Sequence, residues 1–250
     1  MIYYFSATGN SRHAAKRIAD ALNEPLQSVM DAAKRITAAS GERLILVYPN
    51  YCGGLPSPVI DFFQDHEFEL APDCRIELVL TYGNNTGASS AIAGKYLKKK
   101  TGRAFDALYS VKMPDNWTPV FDLTNAQEVA EINKKADLEI NDVIDRMLAR
   151  TDGDFVRDKL GRLMEFVYPG FYKKLSRTKH LRVLDSCIGC GQCARICPVN
   201  AIEMQSGKPV WTKQNCAMCL GCLHRCPEFA IQYDDKTSKH GQYVHPDMKE

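Results

Sequence analysis

Cys187-Ile188-Gly189-Cys190-Gly191-Gln192-Cys193-Ala194-Arg195-Ile196-Cys197-Pro198 and Cys216-Ala217-Met218-Cys219-Leu220-Gly221-Cys222-Leu223-His224-Arg225-Cys226-Pro227 are two copies of one spacing, C-x2-C-x2-C-x3-C-P. Together they take eight of the ten cysteines in the 250-residue chain. Three thiolates, each two residues from the next, can wrap a tight loop around one corner of a cubane. The fourth, three residues on and followed by Pro, points away and is too constrained to close the same corner. The doubled spacing reads as an internal duplication.

This pattern resembles the run of bacterial two-cluster ferredoxins, in which the fourth cysteine ligates the other [4Fe–4S] cluster. The resemblance implies one cluster on Cys187, Cys190, Cys193 and Cys226 and a second on Cys216, Cys219, Cys222 and Cys197. Zinc sites also use pairs of C-x2-C, but they do not need third and fourth cysteines at these spacings. Disulfides would require an oxidising compartment. Against that, Met1-Ile2-Tyr3-Tyr4-Phe5 has neither a charged leader nor a long apolar core, and reads as a strand rather than a signal peptide. The expectation is a reducing cytoplasm, with the clustered cysteines as metal ligands.

Composition narrows the class further. A hydrophobic fraction of 45% and a charged fraction of 25% are those of an ordinary globular protein, with room for one large or two smaller domains. A formal net charge of +2 does not point to nucleic acid or an anionic membrane. Basic residues gather only at Lys98-Lys99-Lys100 and between Lys173 and Arg182. No apolar run approaches the roughly 20 residues of a membrane span.

At the other end of the chain, Ile2 to Phe5 reads as a buried strand feeding Ser6-Ala7-Thr8-Gly9-Asn10-Ser11. A helix with Ala14, Ala15, Ile18, Ala19 and Leu22 on one face follows. A strand running into a Gly- and hydroxyl-rich turn at a helix start outlines a phosphate site, because amides and the helix dipole converge on it. The turn lacks both the Gly-x-Gly-x-x-Gly pattern and the Gly-Lys-Ser/Thr of Walker loops, so a single monoester phosphate suits it better than a triphosphate. It resembles the phosphate loop of flavodoxins at Ser6, Thr8, Gly9, Asn10 and Ser11, and that resemblance implies FMN.

Further strands are expected at 44–48, 76–80 and 104–111, and helices after Ser57-Pro58, over 88–100 (Ala91, Ile92 and Leu97 inward), and from Thr124 to about Arg150. Ser57 is expected as an N-cap with Pro58 at the first helical position, and Thr124 with Gln127 as a capping box. Alternating strands and helices imply an α/β, doubly wound parallel sheet with ligands at the carboxyl ends of its strands. In the flavodoxin order the second and third loops flank the flavin ring. Tyr51, Gly53 and Gly54 in the second, and Tyr82, Gly83 and Asn84 in the third, are then the ring contacts. The tyrosines are candidates for stacking, and the glycines for a peptide that can rotate. Cys52 and Cys74 read as buried or idle thiols. Asn116 and Trp117 lie in an irregular insertion, 112–122, which is expected either to cover the flavin or a domain interface or to be a surface loop anchored by one Trp. His224 reads as a surface residue of the ferredoxin part, and His240 and His245, in a polar tail, have no ligand-like spacing.

The whole chain resembles flavodoxin-like/two-cluster ferredoxin fusion proteins. The expected division is a flavodoxin-like domain over 1–150, a helical connector over 151–180, a small α+β ferredoxin domain over 181–235 and a tail over 236–250. The resemblance implies intracellular electron transfer between FMN and two [4Fe–4S] clusters, with redox proteins as partners. The alternative is an FMN-dependent reductase of a small-molecule acceptor that the clusters supply with electrons. No pair of residues reads as catalytic acid and base.

Overall fold

The computed structural model describes residues 1–161 and 163–248. Its first part alternates strand and helix: β1 (Ile2–Tyr4), α1 (Asn10–Leu22), β2 (Leu26–Ser28), β3 (Arg35–Ala38), β4 (Arg43–Pro49), α2 (Ser57–Asp65), β5 (Glu67–Leu70), β6 (Arg75–Tyr82), α3 (Ser89–Thr101), β7 (Ala107–Lys112), α4 (Ala126–Leu148) and β8 (Gly153–Asp154). Six of the strands form one sheet in the order β2-β1-β4-β6-β7-β8, and every pairing in it is parallel. β3 and β5 make a separate two-stranded parallel ribbon. The order reverses between β1 and β4, so a crevice opens at the carboxyl ends of those strands.

Successive side chains of a strand point to opposite faces, and because both faces are covered the central strands are apolar along almost their whole length. On β4, Leu44, Leu46 and Tyr48 pack with Val59, Phe62 and Phe63 of α2 and Ala93 and Leu97 of α3. Ile45 and Val47 turn the other way, onto Ala14, Ala15 and Ile18 of α1 and Ala136 and Ile140 of α4. At the far ends of β4 and β6 from the crevice, buried Arg43 donates to Glu77 Oε2 (2.9 Å), and Arg75 lies 3.0 Å from Glu77 Oε1.

Next comes α5 (Leu163–Leu175), then β9 (Leu181–Val183), α6 (Gln192–Arg195), β10 (Ile202–Gln205), β11 (Lys208–Trp211), α7 (Gly221–His224) and β12 (Ile231–Tyr233). β9 pairs antiparallel with β12, and β10 with β11. The inner face of α5 presents Tyr168 and Tyr172 to the core of the cysteine-rich part, which also takes in Tyr51, Cys52 and Trp117 of the first part. Tyr168 donates to the Leu55 carbonyl, while Tyr172 accepts from the Ser57 amide (3.1 Å) and donates to the Ala217 carbonyl (2.8 Å).

Several local expectations shift. Asn125, not Thr124, caps α4, its side chain accepting from the Glu128 amide (3.2 Å). Thr124 is drawn instead onto Asp122 through its amide and hydroxyl. Ser57 is the first residue of α2 rather than its cap, because Pro56 holds the extended conformation before it. Ala91 is exposed and Ala93 takes the inward place on α3.

Candidate functional site

Four loops at the carboxyl ends of β1, β4, β6 and β7 enclose a cavity of about 430 Å³. That lies within the range of small-molecule sites. Ser6, Thr8, Asn10 and Ser11 form its floor. The amides of Asn10, Ser11 and Arg12 open α1 with no carbonyl beneath them, and the first turn carries no acidic residue. Their dipoles favour an anion, so a phosphate monoester fits this cradle. The Ser6 hydroxyl accepts from the Gly9 amide at 3.1 Å, Ser11 shares a 2.7 Å bond with Thr81, and Asn116 donates to the Thr8 hydroxyl. The floor is thus braced from β6 and from the 112–122 insertion.

Tyr51, Gly53, Tyr82, Gly83 and Asn84 line the walls, whereas Gly9 and Gly54 do not line the cavity. Gly54 has another use. A Cβ there would fall 2.5 Å from the Tyr168 ring, so the glycine lets α5 pack against the second loop. Gly9, at φ 108°, faces the C-terminal segment, where a Cβ would run into Met248 and, at 2.7 Å, His245. Tyr82 is buried and its hydroxyl donates to Asp158 (2.8 Å); burial first, then that bond, pushes its pKa up. Burial raises Tyr51 as well, so both phenols stay neutral.

Sequence reasoning missed Asp115 and singled out Cys52 only as a thiol beside the loop. Both line the cavity. Desolvation raises the Asp115 carboxyl, against the pull of the Trp117 and Asn84 amides. Desolvation and the nearby Asp115 push the Cys52 thiol up to about 11. Trp117 belongs to the wall too, and its indole N–H is buried with no partner among the described residues. A flavin fits through its phosphate, which the free amides of the first turn of α1 can take with no acidic side chain opposing it.

The cysteines fall into two cavities. Cys197, Cys216, Cys219 and Cys222 line one, with Ile202, Trp211 and Leu220. Cys187, Cys190, Cys193 and Cys226 line the other, with Ile188, Met204 and Ile231. Each set takes three cysteines from one run and the fourth from its twin. The backbone repeats with them. Gly189 and Gly191 have φ of 70° and 72°, and at the matching places Met218 and Leu220 are held at 49° and 52° without glycine's freedom. Amides also point at sulfur in register, Ala201 at Cys197 (3.2 Å) and Ala230 at Cys226 (3.3 Å).

A cubane fits this donor set better than a single zinc ion. Among the described residues, no three cysteine sulfurs approach within 4.8 Å of one another, whereas Zn–S bonds of about 2.3 Å would draw them closer than that. Burial pushes Cys216 up to about 11 and Cys219 to about 12, and it raises Cys222 well above the ordinary thiol value. Thiolates there need a cationic partner. The other cavity lies nearer solvent, with Cys190 exposed and Ile188 64% exposed.

Cys219 lines both its own four-cysteine cavity and the large one. Met218 and Leu220 on either side of it do the same. His224 is a correction. It is buried rather than on the surface, its Nε2 2.7 Å from the Asn116 carbonyl and its Nδ1 accepting from the Tyr243 amide. Burial presses it down to about 4. It ties the second run to the insertion and to the C-terminal segment, which is not a loose tail: Tyr243 donates to Asn10 Oδ1 (2.7 Å) and the His245 amide to the Thr8 carbonyl (2.8 Å).

Residues 1–140 match the flavodoxin domain family. The chain belongs to that family. In this flavodoxin-domain chain, residues 182–203 also match the 4Fe-4S binding domain family. The chain is 38% identical over 60 residues to an uncharacterized polyferredoxin-like protein of Methanocaldococcus jannaschii, covering 19% of this chain and 36% of that one. It is 58% identical over 26 residues to Ferredoxin-2 of Desulfomicrobium norvegicum, covering 10% and 44%. It therefore spans less than half the length of these curated relatives. Among solved structures it is similar to the Trp repressor binding protein from Bacillus subtilis, with 12% identity, a TM-score of 0.35, and coverage of 61% of this chain and 100% of that one. The chain thus joins a flavodoxin-domain match to a 4Fe-4S binding-domain match. Among the described residues, no helix is long and apolar enough to cross a membrane.

Proposed function

We propose that this protein carries electrons between FMN in the large cavity and two [4Fe–4S] clusters in the cysteine cavities, linking two-electron and one-electron redox partners. When bound, the flavin exchanges one or two electrons and each cluster exchanges one. The observation that carries the reading is Cys219, which stands in the wall of both the large cavity and the buried four-cysteine cavity. The chain's own residues do the rest. The first turn of α1 holds the phosphate, and the Tyr51 and Tyr82 loops flank the ring. Amides aimed at Cys197, Cys216 and Cys226 stabilise negative charge on sulfur. The exposed cavity around Cys190 is the side on which a redox protein docks, and the buried one faces the flavin.

The domain division at about 150 and 180 is part of this reading, with α5 as connector. So is a reducing compartment, since the cysteines must not pair as disulfides. A second reading, reduction of a small acceptor at the flavin, draws support from the cavity mouth. Val120 and Phe171 there are 58% and 46% exposed, which leaves an apolar lip beside the ring.

The test is flavin, iron and sulfide content of anaerobically purified protein, with absorption spectra before and after dithionite. The expected result is about one FMN and about eight irons per chain, with both chromophores bleaching. Eight irons without flavin would overturn the phosphate-loop assignment. Zinc in place of iron would overturn the cluster assignment. Steady turnover of a small acceptor, abolished by removing the clusters, would favour the second reading over the carrier.

A further inference from the structure

We propose that His13, His245 and Asp247 form a binding site for one divalent transition-metal ion of the zinc type, clasping the C-terminal segment onto α1. One ring nitrogen from each histidine and one Asp247 oxygen lie within 4.8 Å of one another. Both histidines are buried, and their rings stack at 4.0 Å, while the Asp247 side chain is 56% exposed. The site is therefore anchored in protein and open on one side.

Its outer layer is already built. His13 Nδ1 faces Asp247 Oδ2 at 2.5 Å, and Nε2 on the far side of the ring is 2.7 Å from Asp137 Oδ1. Arg17 in turn donates to that Asp137 oxygen at 2.6 Å. A carboxylate on the second nitrogen of a ligating imidazole fixes the ring's orientation and makes the first nitrogen a better donor. Two imidazoles and one carboxylate suit zinc and its neighbours in the transition series rather than magnesium or calcium, which prefer all-oxygen sites. Zinc bonds of about 2.0–2.2 Å to nitrogen and oxygen require the two stacked rings, now 25° apart, to turn until their in-plane lone pairs converge, and the Asp247 carboxylate to draw back from His13 Nδ1, with water as the fourth ligand. The metal binds only a nitrogen that carries no proton, so any proton on a ligating ring nitrogen leaves as the ion enters.

The location gives the site a use. The His245 amide bonds the Thr8 carbonyl, and Met248 and His245 crowd Gly9. An ion that fixes His245 and Asp247 therefore fixes the segment lying over the phosphate loop. This consequence rests on the flavin reading; the metal site itself does not.

The experiment uses the holoprotein, dialysed anaerobically against a chelator, mixed with Zn(II), gel-filtered and analysed for zinc and iron. Wild type is expected to retain one zinc per chain more than His245→Ala or Asp247→Asn, with iron equal in all three. The Asp247 change is on the surface and spares the fold if the buried histidine change does not. Asp137→Asn, which touches only the orienting carboxylate, is expected to keep the site with affinity lowered about 10- to 100-fold. Equal zinc in wild type and both ligand variants would overturn the proposal. Flavin release is read separately: Zn(II) should slow it in wild type and not in His245→Ala. Equal release rates would remove the clasp and leave the zinc count standing, and a protein without flavin would fail the flavin reading alone.

Discussion

Cys52 is held at φ 54°, a conformation that costs an ordinary residue about 1–2 kcal/mol, in the loop that separates the large cavity from the ferredoxin core. Its thiol is pushed up to about 11, because burial and Asp115 both disfavour the thiolate. Below that value the reactive thiolate falls about tenfold per pH unit. Site-resolved alkylation with iodoacetamide should therefore leave Cys52 unmodified at pH 8, with a rate that climbs steadily toward pH 11. Modification at pH 8 at the rate of a free thiol would contradict this. Asp115 leads to an electrical expectation. With flavin bound, Asp115→Asn removes a negative charge from the cavity wall and should raise the flavin potential, on the order of tens of millivolts. A spectroelectrochemical titration showing no rise would mean that the carboxyl is already neutral there. Neither residue was singled out for these roles by spacing, since a lone Cys or Asp in a loop has no signature until the fold sets its neighbours.

The parallel sheet and both cysteine runs are legible in sequence because each leaves a pattern. Unbroken apolar runs give β4 and β6, and the spacing of ligands gives the loops around each cysteine cavity. β2, β3 and β5 escape such a reading because strands of three or four residues are too short to show a pattern, and unlike the equally short β1 none of them feeds a recognisable loop motif. Ion pairs across the sheet are equally silent. Glu77 lies fully buried between Arg43 and Arg75 at the ends of β4 and β6. Removing it leaves buried Arg43 without a carboxylate partner, while Arg75 keeps Asp152 and the Thr151 carbonyl, so Glu77→Ala should lower stability by about 3–5 kcal/mol in anaerobic denaturant unfolding. The C-terminal segment was expected as a polar tail, and its folding back over the phosphate loop depends on contacts with Thr8, Gly9 and Asn10 that only the tertiary structure brings about. Truncation after Gln242 should therefore speed flavin loss during gel filtration and leave iron content unchanged. Equal flavin retention would reduce the segment to decoration.

At the scale of the whole molecule, the function proposed here needs the two domains held in one arrangement, because Cys219 reaches the large cavity only while they are docked. The tether alone raises their effective concentration, but it does not set orientation. The Tyr172 hydroxyl does, accepting from the first amide of α2 and donating to Ala217 within the second cysteine run. Tyr172→Phe leaves a half-buried amide and a buried carbonyl unpaired, one on each domain, at a cost of about 1–3 kcal/mol. The ring remains to stack on Tyr168 at 5.4 Å, so the core should persist and only the docking should loosen. Loosening opens both cavities that share Cys219. The variant should then lose flavin and second-run iron faster together in a chelator challenge, while the solvent-facing cavity around Cys190 keeps its wild-type rate. If only iron loss accelerated, the hydroxyl would be a local brace of the cysteine loop. If flavin loss accelerated with it, the wall common to both cavities is what Tyr172 holds in place.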